Sequence, residues 1–461
     1  MSPFYTVGGE ITKMKELKAH KQDLFTPGLN GSKAYRIPTL LTTDEGTVIA
    51  ANDARIVDQR DNPNKINITI RRSFDNGQTW GDLQTVVEFP GDDLSSPAAI
   101  DSSLLQDEET GTIWLLYSHT PGGIGLWNSE EGVGFDENGD RLLFDWQKAR
   151  YVLKDDGSVL NAKGEKTEYT VNEKGYVTKG NKTVGHIYEK FDELNQDLLY
   201  ESPTTFLQVI KSEDDGETWS KPMELNTQVK EEWMRFLGTG PGIGIQLKKG
   251  EHKGRLVYPV YFSNSVRFMS CTVIYSDDNG ATWKRADSPN DNRTITLESN
   301  SAKDLGVSAR NHELTESQVV ELSDGTLALY MRNHFGNGQI ARAVSHDGGV
   351  TWENFEFVEE LLNPVCQVSV INYTQESDEQ DTLIFCGPRS ETERENGVVL
   401  LSEDGGKTWP HAKVLESGSF VYSCLTVLEN GEIGVLYETE CDDEGRIKSV
   451  YASFTLDDLK A

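Results

Sequence analysis

One eight-residue pattern, Ser-x-Asp-x-Gly-x-Thr-Trp, occurs five times: SFDNGQTW from Ser73, SEDDGETW from Ser212, SDDNGATW from Ser276, SHDGGVTW from Ser345 and SEDGGKTW from Ser402. Its residue types are those of a tight turn between two strands. The Asp accepts hydrogen bonds from nearby backbone N–H groups, the Gly takes a positive φ, and the Thr and Trp open the next strand with the indole folded back over the turn. The copies start 139, 64, 69 and 57 residues apart, so the last four recur at one roughly constant interval and the first gap is about twice as long. A missing copy together with an insertion explains the long gap.

Between the boxes lie short β-branched and aromatic runs bounded by Gly and Asp, such as GTVIAA, GTIWLLYS, GRLVYPVYF, GTLALYMR, DTLIFCG and EIGVLYE. They read as strands, and helical periodicity is scarce. Many short strands with a recurrent hairpin staple predict an all-β fold of four-stranded sheets repeated around an axis, a propeller. The boxes identify this architecture and perform no chemistry themselves. Residues 145–200 are different in character, polar and without a box, and are expected to form a small β insertion within the propeller. The expected organisation is an N-terminal extension over 1–22, a propeller over 23–144 and 201–461, and the insertion between its two parts.

Bulk properties exclude several functions. The net charge of -31, from 75 acidic and 44 basic side chains, repels nucleic acid and anionic lipid at long range. An anionic substrate therefore needs a local basic pocket. No apolar run approaches the length of a membrane span. The five cysteines are odd in number and lack metal-ligand spacing, which predicts free and mostly buried thiols. The N-terminal stretch has no apolar leader core, so the protein is expected to stay inside the cell unless a leader has been removed.

The five boxes, together with Tyr35-Arg36-Ile37-Pro38 near the start of the fold, resemble the bacterial exo-α-sialidases (neuraminidases) of glycoside hydrolase family 33, in which the turn motif is called the Asp box. The resemblance runs from about Asp23 to Leu459 and includes WMRFLGTGPG from Trp233. It implies a six-bladed β-propeller that releases terminal sialic acid from glycans, glycoproteins or glycolipids, as a monomer and without metal or cofactor. It also implies secretion or cell-surface exposure where a leader has been removed.

Sialic acid carries a carboxylate on its anomeric carbon, so a carboxylate nucleophile would meet like-charge repulsion and a neutral phenol is the sensible attacker. By resemblance Tyr422 is the nucleophile and Glu316 the base that activates it. Arg36, Arg332 and Arg394 match the arginines that clamp the substrate carboxylate, with Arg389 as the alternative third member. Asp61 matches the general acid, with Asp58 close by in the same loop. Arg55 matches an arginine that contacts the carboxylate region or orients the acid, and Asp101 a residue that bonds the sugar's amide or hydroxyl groups. Phe236, Trp127 and the stretch Val365-Cys366-Gln367 are expected on the apolar side of the site. Close relatives often carry an aromatic residue where this chain has Val365, which leaves linkage preference open. Two rivals accompany hydrolysis: an intramolecular trans-sialidase yielding an anhydro sugar, and a non-catalytic lectin. The absence of a tryptophan in YETECDDEGR from Tyr437 leans toward hydrolysis, and the presence of Asp61, Glu316 and Tyr422 together leans against a lectin.

Overall fold

The computed structural model describes residues 4–7, 10–291, 312–374 and 380–461. Each of the five boxes closes in the way its chemistry dictates. The box Ser hydroxyl donates to the Asp at 2.7–2.8 Å and accepts from the box Gly amide at 2.8–2.9 Å. The Thr amide donates to the same Asp at 2.8–2.9 Å. In the first three boxes the indole N–H of Trp80, Trp219 and Trp283 closes onto the box Gly carbonyl.

These turns also tie sheets together. Tyr451 donates to the Asn76 carbonyl at 3.1 Å, Arg72 to Asp215 at 3.1 Å, Arg255 to Gly348 at 2.9 Å and Arg342 to Gly406 at 3.1 Å, so each of these turns is held by a side chain from another part of the ring. A turn that faced only solvent would have no such donors.

The strands form a propeller-like set of sheets. One sheet holds Leu237–Thr239, Leu256–Ser263, Met269–Ser276 and Lys284–Arg285; a second holds Leu314–Glu321, Leu327–Asn333, Gln339–Ser345 and Glu353–Leu362. A third holds Ser369–Asn372, Leu383–Pro388, Glu395–Ser402 and His411–Ser419, and a fourth Ser423–Val427, Ile433–Glu440 and Ile447–Phe454. Strand His20–Phe25 completes the fourth sheet by pairing with Ile447–Phe454, and Lys15–Glu16 pairs with His411–Ser419. The chain start expected to be an extension up to residue 22 thus contributes two sheet edges.

Two further antiparallel runs are joined into one sheet, which corrects the expected count of six blades. Ala34–Thr42, Val48–Arg55, Ile66–Ser73 and Gln84–Val87 make one run; Ala98–Asp107, Thr112–Thr120, Phe206–Ser212 and Met223–Glu224 make the other. A parallel pairing at Ile66 and Ala98 joins them, and with Gly242–Ile243 they form a single nine-stranded sheet. Among the described residues four sheets stand as separate blades, while these two runs are continuous with each other.

The seven-stranded sheet from Arg141–Phe144 through Lys182–His186, closed by Tyr200–Glu201, is the inserted segment. It has a small core of its own around Leu143, Val159, Val177 and Leu198. Arg141 bridges it to the propeller by pairing with Glu201 and Glu224. Four cysteines are buried, Cys441 is exposed, and all five are free.

Candidate active site

The topology gathers the site at one mouth of the ring. Strands Ala34–Thr42, Ala98–Asp107, Leu314–Glu321, Ser369–Asn372 and Ser423–Val427 each lead their run, and they neighbour one another around the axis. Arg36, Asp101 and Glu316 lie near the starts of three of these strands, and Tyr422 immediately precedes a fourth. The second strand of each run is antiparallel to the first, so its last residues return to the same mouth. Arg55 and Arg332 occupy that position. The third strand starts there again, just after Arg394.

Irregularities aim these side chains. The ladder register shifts between Arg36 and Thr39, between Leu314 and Ser317, and opposite Asp101. An extra residue in one strand turns a side chain off the regular alternation, which is how bulges beside active sites act. Ile37, Asp101 and Val365 have φ of 61°, 62° and 58°. For β-branched Ile37 and Val365 this conformation is strained, and such strain persists only where the surroundings over-determine it.

At the centre the Tyr422 hydroxyl donates to Glu316 Oε1. Arg332 Nη1 donates to Glu316 Oε2 at 2.7 Å and to the Tyr422 oxygen at 3.0 Å. The guanidinium groups of Arg36 and Arg394 lie 5.4 and 5.7 Å from the centre of the Tyr422 ring. Burial, and next the Glu316 charge, hold the Tyr422 phenol well above its ordinary pKa, while Arg332 and Arg394 oppose them. The phenol therefore rests neutral, with its proton already directed at a carboxylate.

Arg394, the member expected from its motif, reaches this cluster. Arg389 instead donates to the Glu360 carbonyl at 2.6 Å, and burial lowers its pKa.

Asp61 sits at the edge, 66% exposed, accepting from Arg55 at 2.6 Å and lying 3.7 Å from Arg36. The Arg55 charge, followed against burial by Arg36 and Arg394, lowers its pKa to about 2. Asp58, its neighbour in the loop, pairs instead with Arg60. Arg55 is fully buried and also pairs with Asp53 at 3.3 Å. It thus bridges Asp53 and Asp61.

Asp101 is close to Asp53, whose carboxylate accepts from the Asp101 amide at 3.1 Å. Burial first, then the charge of Asp53, pushes the Asp101 carboxyl well above the usual range, and burial raises Asp53 to about 7.

Phe236 is 3% exposed and packs against Tyr261, ring centres 5.1 Å apart. The Tyr261 phenol is the group near the carboxylates, since Asp101, Glu316 and Tyr422 all act on its pKa. Trp127 is 55% exposed. Cys366, whose thiol donates to the Val421 carbonyl at 3.2 Å, shares a small apolar cluster with Ile37 and Tyr422.

Two residues were missed. Glu438 is fully buried, accepts from Arg36 Nε at 3.2 Å and Nη2 at 3.1 Å, and also accepts from the Tyr422 amide at 3.2 Å. It fixes both a clamp arginine and the segment carrying the phenol. Its signal was an acidic residue inside the otherwise apolar run IGVLYE. Asp53 lies two residues before Arg55 and so on the same strand face, a period-2 signal that could have flagged it.

A neutral phenol thus points at a carboxylate, beneath guanidinium groups at the open end of a propeller-like ring. A family model described as a BNR repeat-like domain matches residues 145–435, and the chain belongs to that family, within which it groups with the bacterial sialidases of glycoside hydrolase family 33. It is 30% identical to the anhydrosialidase of Macrobdella decora over 93% of this chain and 61% of that protein, and 29% identical to the sialidase of Bacteroides fragilis over 89% and 61%. The chain thus spans about three fifths of the length of these curated relatives. Among solved structures it superimposes on the intramolecular trans-sialidase of Ruminococcus gnavus with a TM-score of 0.79 at 29% identity, covering 96% of this chain and 98% of that one. The leech intramolecular trans-sialidase gives 0.77 at 27% identity, covering 95% and 70%.

Proposed function

We propose that the protein is an exo-α-sialidase that cleaves terminal sialic acid through a covalent intermediate on Tyr422. The observation that carries this reading is the bond from the Tyr422 hydroxyl to Glu316, with Arg332 bound to both. The substrate carboxylate is held by Arg36, Arg332 and Arg394, two of which are already oriented by Glu438 and Glu316. As Tyr422 attacks the anomeric carbon, its proton passes to Glu316, and Asp61 gives a proton to the departing glycosidic oxygen. Asp61 then accepts a proton from the incoming water, which releases sialic acid with retention. On this reading Arg55 and Asp53 hold the acid, and Asp101 bonds the sugar's amide or hydroxyl groups.

A second reading is intramolecular transfer, in which the sugar's own hydroxyl replaces water. Its support is the similarity to the leech and Ruminococcus gnavus proteins, the former solved with 2,7-anhydro-Neu5Ac. Mass spectrometry of the product from 3'-sialyllactose tests both. Free sialic acid supports hydrolysis, a product lighter by one water supports transfer, and no cleavage of this or an aryl sialoside overturns both.

A further inference from the structure

The segment WMRFLGTGPG runs from Trp233 to Gly242, and its last residues lie among the strands that lead the runs. Thr239 donates to the Asp101 carbonyl and Thr39 to the Gly242 carbonyl, while Gly242–Ile243 pairs in parallel with Ser103 and Leu104. Side chains do not fit here. A Cβ on Gly240 would stand 3.1 Å from Pro259 and 3.2 Å from the Ser317 oxygen, and one on Gly242 would stand 2.6 Å from Gln318 Nε2. The Pro241 carbonyl between them accepts from two buried glutamines, Gln318 at 3.1 Å and Gln367 at 3.3 Å. Gln318 lies two residues after Glu316 on the strand Leu314–Glu321.

Gln367 makes closer bonds to the residue after Tyr422. Its Nε2 donates to the Ser423 carbonyl at 3.0 Å, and its Oε1 accepts from the Ser423 amide at 3.1 Å. Glu438 meets the preceding backbone groups: its carboxylate accepts from the Tyr422 amide at 3.2 Å, and its own amide donates to the Tyr422 carbonyl at 2.9 Å. Gln367 and Glu438 thus satisfy every backbone polar group of Tyr422 and Ser423. A buried N–H and C=O side by side need an acceptor and a donor, and a primary amide supplies both in the geometry of a peptide. An ionised carboxylate at that position could only accept.

We propose that Gln367 is a positioning residue for the nucleophile: it fixes the Tyr422–Ser423 backbone so that the phenol oxygen is held at Glu316, and Pro241 ties this clamp to the strand that carries Glu316. The inference rests on Tyr422 being the nucleophile. Gln367 acts through the backbone of Ser423 and not on the substrate. A misplacement of about 1 Å at an attacking atom costs on the order of a hundredfold in rate, so a backbone clamp there controls the chemical step more than binding.

The test is covalent labelling of the full chain by 2,3-difluorosialic acid. The phenol oxygen bonds to the anomeric carbon, fluoride leaves, the phenol proton passes to Glu316, and mass spectrometry reads the adduct on Tyr422. Gln367→Met, close in shape and without the amide, should slow adduct formation at saturating reagent by about tenfold or more and leave the half-saturating concentration within about twofold of wild type. If that variant does not fold, Gln367→Asn, too short to reach both groups, carries the same comparison. A role confined to stability would lower Tm and leave the saturated rate unchanged. That result, or an equal change in rate and half-saturation, overturns the clamp while the proposed activity stands. A wild type that forms no adduct on Tyr422 overturns the nucleophile assignment and the clamp with it.

Discussion

Tyr422 and Glu316 are 106 residues apart in sequence, yet the phenol of one is hydrogen-bonded to the carboxylate of the other at the mouth of the ring. Burial keeps the phenol protonated at rest, so its nucleophilicity depends on proton transfer along that bond. Tyr422→Phe should therefore lower kcat for an aryl sialoside by about a thousandfold or more, and Glu316→Gln by at least about a hundredfold. The double variant should be scarcely worse than Tyr422→Phe, because the two residues act as a unit. Additive losses would show that they work independently. Circular dichroism of each variant checks that the fold survives.

Glu438 leads to a second expectation. It is the buried acceptor for the Arg36 guanidinium, and it reaches the Tyr422 amide as well. Removing the charge leaves a mostly buried arginine with only the exposed Asp61 as counter-ion at 3.7 Å, and breaking a buried pair costs about 3 kcal/mol or more. Glu438→Gln should lower Tm and, on the proposed function, raise KM more than it lowers kcat, because Arg36 is there assigned to the substrate carboxylate in both ground and transition states. An unchanged KM would remove Glu438 from the positioning role.

These two residues mark the limits of what the sequence discloses. The boxes report the fold because a Ser, Asp, Gly, Thr and Trp at fixed offsets can satisfy one another locally, and all five do so. Tyr422, Glu316, Arg332 and Arg394 were legible because each sits in a local context that resembles a known one, and strand alternation then returns them to one mouth. Glu438 shows locally only as an acidic residue closing an apolar run, and nothing nearby names its partners, which lie 402 and 16 residues away. The packing of Phe236 against Tyr261 was equally invisible, because no local pattern pairs the two rings. The union of two runs into one sheet depends on the Ile66–Ala98 pairing, which no pattern within either strand encodes.

The box turns make a third expectation, about stability. Gly406 has φ of 82°, and a Cβ there would lie 2.3 Å from the Tyr330 hydroxyl of another sheet. The turn also accepts from Arg342. Gly406→Ala combines left-handed strain with a clash in a packed interface, so it should destabilise by about 2 kcal/mol or more. Gly445→Ala, at φ of 68° with open space around its Cβ, carries the strain without the clash and should cost less. Thermal unfolding of the two variants separates the effects, and equal losses would mean that the turn does not brace the neighbouring sheet.

The last expectation concerns the acid. In the free protein the pKa of Asp61 is about 2, held down first by Arg55 and, after the opposing effect of burial, by Arg36 and Arg394. A carboxyl in that state is ionised at any working pH and cannot donate. A bound substrate carboxylate offsets the charges of Arg36 and Arg394, while Arg55 stays behind Asp61, so binding raises the pKa. Between the free and bound values the free carboxyl is ionised and the bound one protonated, so binding takes up a proton and affinity rises as pH falls through that window. Asp53 and Asp101 titrate nearby, which makes Asp61→Asn the necessary control. Calorimetry of a carboxylate-bearing sialic acid analogue near pH 5, in buffers of different ionisation enthalpy, should show proton uptake by the wild type that is reduced in Asp61→Asn. Equal uptake by both proteins, or proton release by the wild type, would mean that substrate binding does not protonate Asp61.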